Sequence, residues 1–120
     1  MPAGPTVLLI DDNPSHLKLY AWILERGGFR PLTLLVNRGG FEFPRSEPVD
    51  IIVMDYRMGD SISSPEVARL ALEAFPKRPV LVLSDMQWMP DDIAPYAAGF
   101  ARKGEPEQLL ATIRTLVNAA

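Results

Sequence analysis

The chain has 120 residues, a formal net charge of −3 and no cysteine, with 48% hydrophobic and 22% charged residues. That size fits a single domain, 1–120, able to bury roughly 65% of its unfolded surface. The acidic balance argues against direct nucleic-acid binding, the lack of cysteine excludes disulfides, thiolate zinc sites and cysteine nucleophiles, and no apolar run approaches the ~18 residues of a membrane span.

The opening MPAGPTVLLIDD lacks the basic and long apolar regions of a signal peptide, so a cytoplasmic location is expected. Short apolar runs follow at intervals: TVLLI from Thr6, LTLLV from Leu32, IIVM from Ile51 and VLVL from Val80, with a weaker fifth, GFAR, from Gly99. They are continuous rather than alternating, as strands buried on both faces of a parallel sheet are. Helical patterns lie between them. Asn13 and Pro14 suit the cap and first position of a helix running to Arg26, with Leu17, Tyr20, Ala21 and Leu24 on one stripe and Gly27 or Gly28 to end it. A second helix is predicted over Ser64–Phe75, capped by Ser64, and a third over Pro106–Asn118.

Two intervals resist this pattern. Asn37–Pro48 (NRGGFEFPRSEP) carries two glycines and two prolines in twelve residues, which predicts an irregular loop packed down by Phe41 and Phe43. Met86–Ala98 contains Pro90 and Pro95 and predicts at most a short or distorted helix. Strand–helix alternation of this kind implies an α/β fold with right-handed crossovers. Pro31, at the start of the second run, fits an edge strand. The flavodoxin-like doubly wound five-stranded parallel sheet, order 2-1-3-4-5, places it there, with the second helix irregular or missing and the fourth short.

Ligands of open parallel sheets bind beyond the carboxyl ends of the strands. The residues following the apolar runs are Asp11 and Asp12, Asp55, Ser84 and Lys103. Taken singly, each has a plain alternative: helix cap, solvated strand end, loop hydroxyl, surface cation. Taken together they set three carboxylates, a hydroxyl and an ammonium around one cleft. Clustered carboxylates call for a hard cation such as Mg²⁺, and a carboxylate beside Mg²⁺ can attack phosphorus.

This arrangement resembles the response-regulator receiver domains of two-component signalling. The likeness covers nearly the whole chain and rests on IDDNP after the first strand, VMDYRM around Asp55, VLS ending at Ser84 and GFARK ending at Lys103. It implies Asp55 as phospho-acceptor, with Mg²⁺ held directly by Asp12, directly or through water by Asp11, and by Asp55 and the backbone carbonyl of Arg57. It implies Ser84 and Lys103 as ligands of the phosphoryl group, and Ser84 and Phe100 as switch residues. The implied partners are a histidine kinase or phosphotransfer protein and an output protein or domain not in this chain, without a membrane partner; a second copy of the chain, forming a homodimer, is a further candidate. No external substrate is expected to turn over: the chemistry is autocatalytic phosphorylation and dephosphorylation of Asp55.

Departures from the family pattern point to an alternative, a phosphorylation-independent interaction module with the same fold. Asp85 follows Ser84 where a small residue is usual, and Gly104 follows Lys103 where proline is common, which leaves the lysine less fixed. Arg57, Asp85 and Met86 stand at the positions that tune phosphoryl lifetime. Asp85 is expected to turn outward. A Mg²⁺-dependent phosphatase fits less well, because Arg57 stands where its second acid belongs. His16, the single histidine, is expected to be solvated. Trp22 is expected partly exposed, and Trp88 packed.

Overall fold

A computed structural model describes residues 4–37, 40–58 and 62–119. In chain order the elements are β1 (Thr6–Asp11), α1 (Pro14–Arg26), β2 (Arg30–Leu35), β3 (Ile51–Asp55), α2 (Ser64–Ala74), β4 (Val80–Ser84), a 3-10 helix (Ala94–Tyr96), β5 (Gly99–Arg102) and α3 (Pro106–Asn118). All strand pairs are parallel, and the order is β2-β1-β3-β4-β5.

Alternation along the strands divides the core into two layers. Leu8, Ile10, Ile52, Met54, Val80 and Val82 face α2, Phe43 and Ile93. Val7, Leu9, Ile51, Val53, Leu81 and Leu83 face α1 and α3. β1, β3 and β4 are buried along their whole length, which is why their sequences read as continuous apolar runs. β2 pairs with β1 alone and is mostly open to solvent, so Pro31 lies on an edge as expected.

Asn13 caps α1 with its side-chain oxygen, accepting from the Ser15 and His16 amides at 2.9 and 3.4 Å, and Pro14 opens the helix. Such a cap contributes about 1 kcal/mol. At the other end Gly28 takes φ +90° while Gly27 stays right-handed. Phe29 N–H donates to the Leu24 carbonyl and Gly28 N–H to that of Glu25, a Schellman closure whose Phe29 and Leu24 side chains share one buried cluster. α2 corrects the expected cap: Ser63, not Ser64, receives the Glu66 amide, and Ser64 is the first helical residue, buried at 5% exposure. Pro65 then sits in the first turn, where no intrahelical partner for its missing N–H is needed.

No helix forms among the described residues between β2 and β3; Arg38 and Gly39, part of the expected loop, lie outside them. Phe43 is buried there, edge-on to Phe41 at 5.3 Å and to Phe75, the residue that closes α2, at 6.0 Å. These aromatic contacts substitute for the missing helix over that part of the sheet. Between β4 and β5 the chain forms only the single 3-10 turn, with Pro95 in its first turn and Ile93 fully buried beneath it. Two tryptophans stand out from the surface. Trp22 is 56% exposed with the Arg26 guanidinium over its ring at 5.0 Å. Trp88 is 67% exposed, contrary to the expectation of packing, because the shortened segment offers it no helix to lie against.

Candidate functional site

The sheet ladder fixes where the functional side chains begin. Val36 N–H donates to the Asp11 carbonyl at 3.0 Å, Tyr56 N–H to that of Leu83 at 2.9 Å, and Lys103 N–H to that of Ser84 at 2.8 Å. Parallel pairing therefore continues just past the strand ends and brings Asp11, Asp55, Ser84 and Lys103 to one edge of the sheet. Asp11, Asp55 and Ser84 are 4%, 3% and 1% exposed.

Buried carboxylates require partners. Asp55 Oδ1 accepts the Arg57 amide at 3.0 Å, and Asp55 Oδ2 lies 2.9 Å from Lys103 Nζ. Asp11 Oδ1 accepts the Asn13 amide at 3.0 Å. Ser84 Oγ accepts the Met86 amide at 3.1 Å, leaving its O–H to donate elsewhere. Gly104 takes φ +83°, a left-handed turn that suits glycine, and Lys103 is held on Asp55 in spite of that flexible neighbour.

Of the two adjacent acids, Asp11 is the one grouped with Asp55, whereas Asp12 is half-buried and leans on Asp11. The reason is the strand: β1 runs through Asp11, which keeps the inward orientation, and Asp12 falls after its end. Burial pushes the Asp11 carboxyl up to about 6, the nearby Asp55 adds to this, and contact with Asp12 adds further; the Asn13 amide and His16 oppose the shift. Tyr20 of α1 borders the same cleft, and its hydroxyl is pushed up by burial, then by Asp55 and Asp11.

His16 departs from the expected solvated position. Its ring is 42% exposed, yet Nδ1 is buried, 3.3 Å from Asp11 Oδ2 and 3.9 Å from Asp55 Oδ2, and makes no hydrogen bond. The third residue of a helix points its side chain back over the helix start, here over the end of β1. Asp11, His16 and Asp55 each offer one ligand atom, all within 4.8 Å of one another. Two buried carboxylates, one with a raised affinity for protons, plus a ring nitrogen that makes no hydrogen bond form a donor set that fits a divalent cation.

At the rim, Asp85 turns outward as expected and pairs with Arg57, Nε to Oδ1 at 3.4 Å, with both side chains more than half exposed. Met86 and Phe100 are half-buried, Phe100 against the core layer that includes Ile93 and Tyr96. A further link was not foreseen: the Tyr56 hydroxyl donates to the Asp92 carboxylate, 2.9 and 3.0 Å from its two oxygens.

No protein-family model matches the chain. Transcriptional regulatory protein GlrR of Escherichia coli K12 is 29% identical over 93 residues, which are 78% of this chain and 21% of GlrR; QseF of Escherichia coli O157:H7 matches to the same extent. The chain thus spans about a fifth of the length of these curated relatives. Among solved structures, a CheY-like response regulator receiver domain from Methanospirillum hungatei superposes with a TM-score of 0.76 at 17% identity, covering 96% of this chain and 94% of that one. Chemotaxis protein CheY4 of Vibrio cholerae gives 0.76 at 21% identity, covering 95% and 99%. The strand order, the helices on both faces and these superpositions agree: the chain has the receiver-domain fold of the response regulators.

Proposed function

We propose that the chain is a phospho-accepting receiver domain of a two-component system, with Asp55 as acceptor and a histidine kinase or phosphotransfer protein as donor. The observation that carries this reading is Asp55 itself: a carboxylate 3% exposed at the end of the central strand, with Lys103 Nζ at 2.9 Å and a second buried acid, Asp11, beside it. In the transfer an Asp55 oxygen forms a bond to phosphorus as the bond from phosphorus to the donor's imidazole nitrogen breaks, and the imidazole leaves with the electron pair and takes a proton from solvent. Lys103, already on Asp55 Oδ2, follows the charge onto the phosphoryl oxygens, and the free Ser84 O–H donates to another. Drawing Ser84 inward gives Phe100 room to rotate, which shifts the balance between two states of the β4–β5 face.

Asp11, Asp12, Asp55 and the Arg57 carbonyl would hold Mg²⁺, which when bound supplies the positive charge that lets the acids and a phosphoryl group share the cleft. The chain then acts in the cytoplasm as a switch with no external substrate, passing its state to an output protein or domain. A second reading, an interaction module that works without phosphorylation, is favoured by one feature: a single 3-10 turn stands where a fourth helix would carry the switch face.

Incubation with Mg²⁺ and acetyl phosphate, followed by intact-mass measurement, separates the two. One phosphoryl adduct on the wild type, absent from Asp55→Asn, is the expected outcome. No adduct at millimolar metal would sink the receiver reading in favour of the interaction module.

A further inference from the structure

We infer that His16 is a cation ligand and that it biases the Asp11–Asp55 site from Mg²⁺ toward a first-row transition cation that accepts imidazole, such as Zn²⁺, Ni²⁺ or Co²⁺. The inference rests on the divalent-cation site of the reading above, and concerns which ion that site prefers.

His16 Nδ1 is buried and has no hydrogen-bond partner, although the rest of its ring reaches solvent. A buried polar atom in that condition is costly unless something engages it. Two carboxylate oxygens face it, Asp11 Oδ2 at 3.3 Å and Asp55 Oδ2 at 3.9 Å. Donor atoms about 2.0–2.1 Å from one ion stand roughly 2.8–3.0 Å apart in octahedral geometry and roughly 3.3–3.4 Å apart in tetrahedral geometry. The Asp11 separation matches the tetrahedral spacing, the Asp55 separation exceeds it by about half an ångström, and all three donor atoms lie within 4.8 Å of one another, so a small inward adjustment of the carboxylates completes the set. One ion between the three would engage the orphaned nitrogen and reduce the repulsion between the two acids together.

The backbone prepares this placement. Asn13 and Pro14 fix the start of α1, and His16, whose own amide is held by Asn13 Oδ1, leans back over the end of β1. Lys103, just past the end of β5, also contacts Asp55 Oδ2, so the lysine and the ion would share the Asp55 carboxylate. Two carboxylates alone suit Mg²⁺, Ca²⁺ or Mn²⁺; adding an imidazole moves the preference to borderline ions.

The chain carries one histidine, so a ring-nitrogen signal is assigned without ambiguity. Tag-free protein is titrated with Mg²⁺ and with Co²⁺ by calorimetry, for the wild type, His16→Ala and Asp55→Asn, while the ¹⁵N resonances of the ring are followed with Zn²⁺. Alanine is a good helix former and this position is half-exposed, so the variant retains α1. The ratio of Co²⁺ to Mg²⁺ affinity is expected to fall by about tenfold or more in His16→Ala. The Nδ1 resonance of the wild type is expected to shift on Zn²⁺ binding, and not in Asp55→Asn. An unchanged ratio together with an unshifted Nδ1, in a protein that still binds Mg²⁺ through Asp55, overturns this inference alone. Absence of any cation response in the wild type overturns the cation site itself along with it.

Discussion

The carboxyl edge of the sheet and the Met86–Ala98 stretch lie side by side and are built in different ways. At the sheet edge, backbone hydrogen bonds reach across the sequence: Val36 to Asp11, Tyr56 to Leu83, Lys103 to Ser84. Each functional side chain there starts from a backbone position that neighbouring strands determine. In Met86–Ala98 the bonds are mostly local, such as Ile93 to Pro90 and Tyr96 to Ile93, until the Ala98 N–H rejoins the sheet at the Val80 carbonyl, 2.8 Å away. Its firmest ties to the body are the fully buried Ile93 and the Tyr56–Asp92 hydrogen bond, with Met89, Tyr96 and Ala97 packed more shallowly on the same core layer. A ladder built from distant residues holds groups at fixed spacing, whereas a short segment with a single fully buried apolar side chain depends heavily on that side chain.

The strongest way to break that contrast is to remove that side chain. Ile93→Ala leaves a cavity beneath the 3-10 turn and is expected to cost about 2–5 kcal/mol in urea unfolding. Hydrogen exchange sharpens the result. Amides of Ile93, Ala94, Tyr96 and Ala97 should lose protection well before those of β3 and β4, which the parallel ladder also holds. Equal loss in both regions would mean that the segment and the sheet unfold as one unit.

The sheet edge, by contrast, holds groups where they oppose stability. Asp11 is the clearest case. Its carboxyl is raised from 3.8 to about 6, so the fold disfavours its charge. A raised carboxyl contributes its full share of stability below about pH 4 and loses it as pH rises through about 6, at most about 3 kcal/mol. Asp11→Asn keeps the acceptor for the Asn13 amide and removes the charge. In metal-free buffer at pH 7.5 it is therefore expected to be more stable than the wild type, by up to about 3 kcal/mol, and the gap should close as pH falls from 6 to 4. A gap that is flat with pH would show that ionisation of Asp11 is not its source.

The same division explains what was legible in the sequence. Strands buried on both faces announce themselves as apolar runs, so β1, β3, β4 and the groups at their ends were placed from residues alone, and Pro31 gave away the edge. Glycine and proline in Asn37–Pro48 and proline in Met86–Ala98 foretold that no regular α-helix forms there among the described residues. What escaped depends on side-chain direction across elements. His16 read as a surface residue because helical periodicity says which face it is on, not that a first-turn side chain leans back over the preceding strand end. Trp88 read as packed because the pattern shows an aromatic residue and not the absence of a surface to receive it. Tyr56 and Asp92 are thirty-six positions apart, and no local pattern joins them.

The Arg57–Asp85 pair supplies the smallest effect. It sits where the two regions meet, Arg57 just beyond β3 and Asp85 just beyond β4, and looks like a clasp between them. Exposure argues otherwise. With side chains 67% and 58% open to water and 3.4 Å between Nε and Oδ1, solvent screens most of the attraction, and ordering two long side chains offsets much of the rest. Asp85→Ala is expected to change stability by no more than about 0.5 kcal/mol, and a double-mutant cycle with Arg57→Ala should give a coupling of similar size. The pair's consequence lies in charge at the mouth of the cleft. Removing Asp85 takes one negative charge from the approach to Asp55 and frees Arg57, so adduct formation with acetyl phosphate should speed up while the unfolding midpoint hardly moves. A large loss of stability with no change in that rate would make the pair a structural clasp after all.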